Sequence, residues 1–243
     1  MRIELGHVSA IFRYPIKSMA GERLESANIG WHGVEGDRRF AFRRLADRSA
    51  FPWLSASRLP ELLLYQPIGR QETTGESLPT HVRTPNGREF ALTDEALQKE
   101  IATRHRADVE LMQFKHGIFD DAAISVIAMG TIRSIAREAG QDLDIRRFRP
   151  NLLIDTRDAE PFEEDGWVGK ILEFGDDGTG PAVSVTMRDK RCVMINFDPD
   201  TAEANAEIMK TVVRMNDNFA GVYGTVVRTG ELRVGQVVGL SGR

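Results

Sequence analysis

Short runs of alternating apolar and polar positions dominate the chain, and turn residues separate them. Residues 6–14 and 23–29 are rich in β-forming side chains, and a glycine-rich turn through Gly33 and Gly36 follows. Residues 39–44 set Phe40 and Phe42 between polar or small neighbours, the pattern of a half-buried strand. Residues 62–66 make a short apolar run, and Pro85-Asn86-Gly87 between 81–84 and 88–92 predicts a β-hairpin. Later strands are predicted over 151–155, 167–174, 182–188 and 191–195, with a closing meander over 222–228, 231–234 and 236–240. Helical spacing occurs at 95–101 behind Thr93-Asp94, at 131–139 ahead of Gly140, and at 205–215. Strands outnumber helices, so the fold class is mainly β, of the α+β kind.

A chain of 243 residues accommodates one large or two small domains. The break falls where the first helix separates two strand-rich halves, giving domains over 1–93 and 94–243 with a helical connection at about 94–140. Hydrophobic residues at 41% and charged residues at 28% describe a globular protein with enough apolar surface for a core. Lys and Arg total 32 against 36 Asp and Glu, a net charge of −4. No general basic field exists to hold a polyanion, so nucleic acid is excluded as the main partner while a local anion pocket stays open. No signal-type h-region and no run of 18 apolar residues occurs, which predicts no membrane association and a cytoplasmic location.

The single cysteine, Cys192, excludes an internal disulfide, a cysteine-rich zinc site and an iron–sulfur cluster built from this chain. Beside Arg191 it has two readings: a thiol that attacks electrophiles or binds a soft metal, or a buried structural thiol. Arg146, Arg147 and Arg149 surround Phe148 ahead of Pro150 and Asn151, and forked guanidinium donors suit a phosphate or carboxylate, or simply a solvated edge. Lys17 and Ser18 after Tyr14-Pro15-Ile16 offer an ammonium and a hydroxyl, and Gly36-Asp37 precedes Arg38 in a turn able to aim it inward. The five histidines show no ligand spacing, and neither a phosphate-binding glycine loop nor a nucleophile elbow is present. Asp120-Asp121 and Asp198-Pro199-Asp200-Thr201 contain paired carboxylates; the second is expected to form a turn and cap a following helix.

In order, YPIKS, GDRRFAF, RRFRPNLLID, WVGKIL and RCVMINFDPDT resemble the MOSC family, named for the C-terminal domain of molybdenum cofactor sulfurases. RFRPN at 147–151 with RC-x5-DPDT at 191–201 is the specific part, and the N-terminal half resembles the β-barrel domain that often precedes MOSC. The resemblance implies an N-terminal barrel-like domain followed by a mixed β-barrel with flanking helices. It extends to the mitochondrial amidoxime-reducing component and its bacterial relatives, which bind a molybdenum cofactor. By that resemblance Lys17, Ser18, Arg38, Arg149 and Asn151 hold the pterin and its phosphate, and Cys192 is the catalytic residue and molybdenum ligand. The implied activity is reduction of N-hydroxylated substrates, with electrons from a separate ferredoxin- or flavoprotein-type partner because one cysteine cannot build a cluster. A persulfide carrier using Cys192 and a non-catalytic cofactor carrier are the alternatives. This chain departs from the family in carrying Ser57 and Arg58 where relatives often place one arginine.

Overall fold

The computed structural model describes residues 2–73, 76–176 and 178–242. Its main body is a closed seven-stranded barrel. Arg2–Arg13 pairs with Val237–Ser241 on one side and with Leu152–Thr156 on the other. From Leu152–Thr156 the ring runs through Ile124–Ala128, Phe219–Arg228, Ala182–Lys190 and Ile171–Phe174 back to Val237–Ser241. Closure leaves no exposed edge among these strands. Neighbours are antiparallel except Ile124–Ala128 against Leu152–Thr156, which run parallel. A parallel pair requires a long crossover, and a helix supplies it here.

Three helices accompany the strands: α1 (Glu95–His105), α2 (Met129–Ala139) and α3 (Ala206–Asn216). The Asp94 carboxylate accepts from the Ala96 N–H at 2.8 Å and starts α1, while Asn205 accepts from the Glu207 N–H at 3.1 Å and starts α3. α2, the crossover, ends on Gly140 at φ 66, a left-handed turn that glycine adopts without strain.

Alternation along the strands sorts the side chains into two layers. Ile124, Val126, Leu152, Ile154, Val185 and Val222 fill the barrel interior. Ile127 and Leu153 point outward and pack with Ile132, Ile135, Ile208 and Val212 beneath α2 and α3. Both faces of Ile124–Ala128 are therefore buried, so its sequence is apolar at every position but Ser125 and does not alternate. Residues 14–109 form a second core around Phe40, Phe42, Leu62, Tyr65, Leu97 and Ile101. Its strands are Phe40–Arg44 with Val109–Gln113, and Gln66–Ile68 with the hairpin His81–Arg83 and Glu89–Ala91. The hairpin turns at Pro85-Asn86-Gly87, as the sequence pattern predicts.

Three local expectations differ from the structure. Residues 191–195 form no strand: the ladder ends where Lys190 meets Phe219, and Val193–Asn196 is a 3-10 turn. The cause is Arg191, whose side chain takes the Phe148 and Ala220 carbonyls where a strand neighbour would be. The strand expected over 167–174 is only Ile171–Phe174, because Glu163–Trp167 is a 3-10 turn that buries Trp167 in the barrel. Asp198 does form a turn, accepting from the Asp200 and Thr201 N–H groups, but Asn205 caps the helix that follows.

Glu164 is buried with no ion pair among the described residues, and it accepts from the Thr131 hydroxyl at 2.6 Å and the Gly221 N–H at 3.0 Å. Burial pushes its carboxyl up to about 7. The folded protein then binds a proton that the unfolded chain releases, so the contribution is full below the ordinary carboxyl value and is lost as pH rises through neutrality. The stability difference between wild type and Glu164→Gln should therefore shift by about 3 kcal/mol between acid and mildly alkaline pH, in the direction that favours the variant at high pH. Urea unfolding across that range measures it, and a pH-independent difference would rule out this coupling.

Candidate active site

One end of the barrel meets the second core at a cavity of about 350 Å³. That is within the range that encloses small organic ligands. Lys17, Ser18, Arg38, Arg149 and Cys192, which lie in four separate stretches of the chain, all line it. A larger cleft of about 540 Å³ opens elsewhere, but its Arg146 is already occupied by Asp144 and Asp200.

The cationic side is assembled around one buried carboxylate. Asp37 Oδ1 accepts from the Tyr14 N–H at 2.6 Å, and Oδ2 accepts from Arg38 and from the Asn151 side chain, the latter at 3.1 Å. These contacts join the end of the first strand, the turn before Phe40 and the entrance to Leu152–Thr156. Gly36, at φ +80, lets the chain turn into this junction; a side chain there would press on Arg13 and the Ser77 carbonyl at 3.2 Å.

Ser18, Arg38 and Arg149 each have positive φ, at 66°, 49° and 49°. Non-glycine residues pay about 1 kcal/mol or more in this region, and such strain concentrates where function requires a particular aim of the backbone. That three residues on one cavity wall share it singles out that wall.

Both guanidinium groups stack on Tyr14, Arg149 at 4.2 Å and Arg38 at 5.2 Å from the ring centre. Arg38 pairs with Asp37, and Lys17 pairs with Asp120 at 2.6 Å while lying 5.2 Å from the Phe51 ring centre. Arg149 has no carboxylate partner among the described residues. Withdrawal from solvent lowers its guanidinium to about 10, and Arg38 beside it adds to the effect. Burial likewise lowers the Lys17 ammonium, with Asp120 opposing and the two arginines reinforcing. Burial alone would lower Arg38 too, but Asp37, Tyr223 and Asp120 outweigh it and hold that group above its ordinary value. Three cations thus converge with fewer carboxylates than they need, and a dianion entering the cavity would relieve their mutual repulsion.

Elsewhere in the lining Cys192 leads into the Val193–Asn196 turn, and its side chain is exposed. The turn is held from behind. Ile195 is buried among the α2 and α3 side chains, and Arg147 binds the Asn196 carbonyl at 2.9 Å and Asp198 at 2.7 Å. Arg191 points inward: its guanidinium donates to the Phe148 carbonyl at 2.8 Å and meets Asp189 at 2.9 Å. The structure therefore chooses the exposed reading of Cys192 over the buried one, on a turn rigid enough to fix a thiol in place.

Asn151 does not reach the cavity. It is buried behind the wall, where its side-chain oxygen accepts from the Ser125 N–H at 3.1 Å and its amide donates to Asp37 and the Phe12 carbonyl. Its part is to hold Asp37 and Arg38. Residues with no functional reading in the sequence also matter here: Tyr14 beneath the arginines, Asp120 on Lys17, and Asp189, Phe51 and Tyr223 in the lining. In the sequence Asp37 reads only as part of a turn. No spacing rule marks these positions, because their roles arise from contacts between distant segments. Ser57 lines the cavity, whereas Arg58 beside it does not.

A closed β-barrel with a second β-rich core, sharing one cationic cavity that contains an exposed thiol, defines the class to which this protein belongs. Comparison with known families specifies it further. The MOSC N-terminal beta barrel domain matches residues 5–124 and the MOSC domain matches residues 113–239, so the chain belongs to the MOSC family. It is similar to a molybdenum cofactor sulfurase from Drosophila mojavensis, 24% identical over 255 aligned positions that include 86% of this chain and 30% of the relative. The chain thus spans less than a third of that relative's length. Its fold is similar to that of the YUAD protein from Bacillus subtilis, with a TM-score of 0.55, 13% identity, and coverage of 100% and 98% of the two chains. Among the described residues no helix is long and apolar enough to cross a membrane.

Removing the Asp37 carboxylate leaves the Arg38 charge buried without its partner and the Tyr14 N–H and Asn151 amide without an acceptor. Asp37→Ala is expected to lose about 3–5 kcal/mol of stability in chemical denaturation. A loss under about 1 kcal/mol, the scale of a surface pair, would show that the junction is held some other way.

Proposed function

We propose that the cavity binds a molybdenum cofactor and that the protein reduces N-hydroxylated substrates with electrons from a separate redox protein. The observation that carries this reading is the pairing of an unpartnered Arg149 guanidinium with an exposed Cys192 thiol in one cavity. Excess cations suit a phosphorylated group, and a thiolate suits a soft metal, so the donor set fits a phosphate-bearing metal cofactor. Lys17, Ser18, Arg38 and Arg149 would hold its phosphate and pterin, and Cys192 would ligate molybdenum. When bound, the cofactor supplies oxygen-atom and electron chemistry. The protein's own part is to fix the thiol on the Val193–Asn196 turn, to neutralise the phosphate and to shape access past Phe51.

A second reading, sulfur transfer through a Cys192 persulfide, is favoured by the same exposed thiol and by the similarity to a sulfurase.

Protein made in a cofactor-competent host separates the two readings. The proposal expects molybdenum and pterin at near one per chain, and reduction of benzamidoxime by chemically reduced viologen. Cys192→Ala should abolish that reduction while leaving the unfolding midpoint within a few degrees, since an exposed side chain contributes little to stability. Metal-free protein carrying one extra sulfur on Cys192 would support sulfur transfer instead. Arg149→Gln should weaken cofactor retention about 10- to 100-fold, the scale of a lost charge-assisted hydrogen bond. Unchanged retention would remove Arg149 from the binding set.

A further inference from the structure

The wall around Cys192 also carries a carboxylate for which anion binding has no use. Asp189 lies near the end of Ala182–Lys190 and lines the cavity with a side chain only 3% exposed. One of its oxygens is anchored: Oδ2 lies 2.9 Å from Arg191 and accepts from the Ser125 hydroxyl at 3.4 Å. The other, Oδ1, makes no hydrogen bond among the described residues and is not sealed from solvent. A buried carboxyl held through one oxygen by an ion pair and set in the lining of a ligand cavity is placed for proton exchange with what that cavity holds. Every element packed near it contributes a polar or charged group. Arg191 comes from its own segment, Ser125 from Ile124–Ala128, Tyr223 from Phe219–Arg228, and Asp120 and Asp121 from the stretch before Ile124. Burial raises the Asp189 carboxyl to about 6, with Asp121 and Asp120 adding to the rise and Arg191 and Ser125 opposing it. It is therefore poised to take up and release a proton near neutral pH.

We propose that Asp189 exchanges a proton through Oδ1 with the ligand held beside Cys192, and so supplies one of the two protons that reductive N–O cleavage consumes. This rests on the reading of the site as a reductase of N-hydroxylated substrates. For a hydroxylamine the balance is R–NH–OH + 2 e⁻ + 2 H⁺ → R–NH₂ + H₂O. The N–O bond breaks, nitrogen is reduced, the oxygen leaves as water, and the electrons come from the external one-electron carrier. Asp189 gives one proton toward the departing oxygen, water gives the other, and solvent restores the carboxyl for the next turnover.

Two measurements test it. In cofactor-free protein, carbon-detected NMR of the aspartate carboxyls should show one group titrating near pH 6 that Asp189→Asn removes. A carboxyl midpoint in the ordinary range, or a raised one that survives the substitution, overturns the proposal. In cofactor-loaded protein with benzamidoxime and reduced viologen, Asp189→Asn should lower kcat about 100-fold with KM little changed, and flatten the pH profile between pH 5 and 7.5. Asp189→Glu, which keeps a carboxyl on the same wall, should recover a substantial part of kcat. An active wild type with unchanged kcat and pH profile in Asp189→Asn overturns the role of Asp189 alone. A molybdenum-loaded wild type that reduces no N-hydroxylated substrate overturns the reductase reading, and this proposal with it.

Discussion

The site depends on a buried carboxylate shared among three segments. Asp37 holds the Tyr14 backbone, the Arg38 guanidinium and the Asn151 amide at once. A carboxylate deprived of water has to be repaid with charge-assisted hydrogen bonds, and Asp37 obtains them by drawing together three segments, two of them more than 100 residues apart. The same contacts set Arg38 and Arg149 on the Tyr14 face and give the cavity its cationic wall. Fold and site meet at this junction: the barrel closes through Leu152–Thr156, and Asn151 immediately ahead of it carries the closure into the cavity wall.

The two walls use opposite strategies. On the cationic wall the side chains crowd together, and the left-handed backbone at Ser18, Arg38 and Arg149 stores strain to aim them. On the thiol wall the backbone is ordinary and the fixing comes from behind, through Ile195 in the core and Arg147 and Arg191 on carbonyls and carboxylates. The arginines that line the cavity thus serve two different ends. Arg191 is spent on structure, whereas Arg149, remote in sequence, keeps its charge for a ligand. A net charge of −4 is compatible with this because the positive potential is confined to one concave surface with low-dielectric walls.

Much of the architecture was legible before any coordinates. The Asp94 cap, the Gly140 stop and the Pro85-Asn86-Gly87 turn act locally, so each element they delimit stands where the pattern predicts, whereas the cap of α3 falls on Asn205 and not on the Asp198 turn ahead of it. Local reasoning failed at 191–195, where an apolar run of strand-like composition curls into a turn. The deciding contacts there come from Phe148 and Ala220, which are distant in sequence. Lys17, Ser18, Arg38, Arg149 and Cys192 were visible through ordered motifs that resemble a family, and the fold brings all five to one cavity. Asp189 lies in none of those motifs, and Tyr14, although it opens YPIKS, carries no local sign that it lies beneath the two arginines.

By itself the sequence determined a strand-rich chain with few helices, the place of each helix along it, a single thiol and the absence of any broad basic surface. These follow from composition and from contacts between near neighbours, which a linear pattern records. The tertiary structure decided which charges were neutralised and which were left over. Asp37 satisfies Arg38, Asp120 satisfies Lys17 and Asp189 satisfies Arg191, while Arg149 goes unpaired beside an exposed Cys192. Pairing of this kind depends on distance through space and on the loss of water around each group, and neither quantity exists until the barrel has closed.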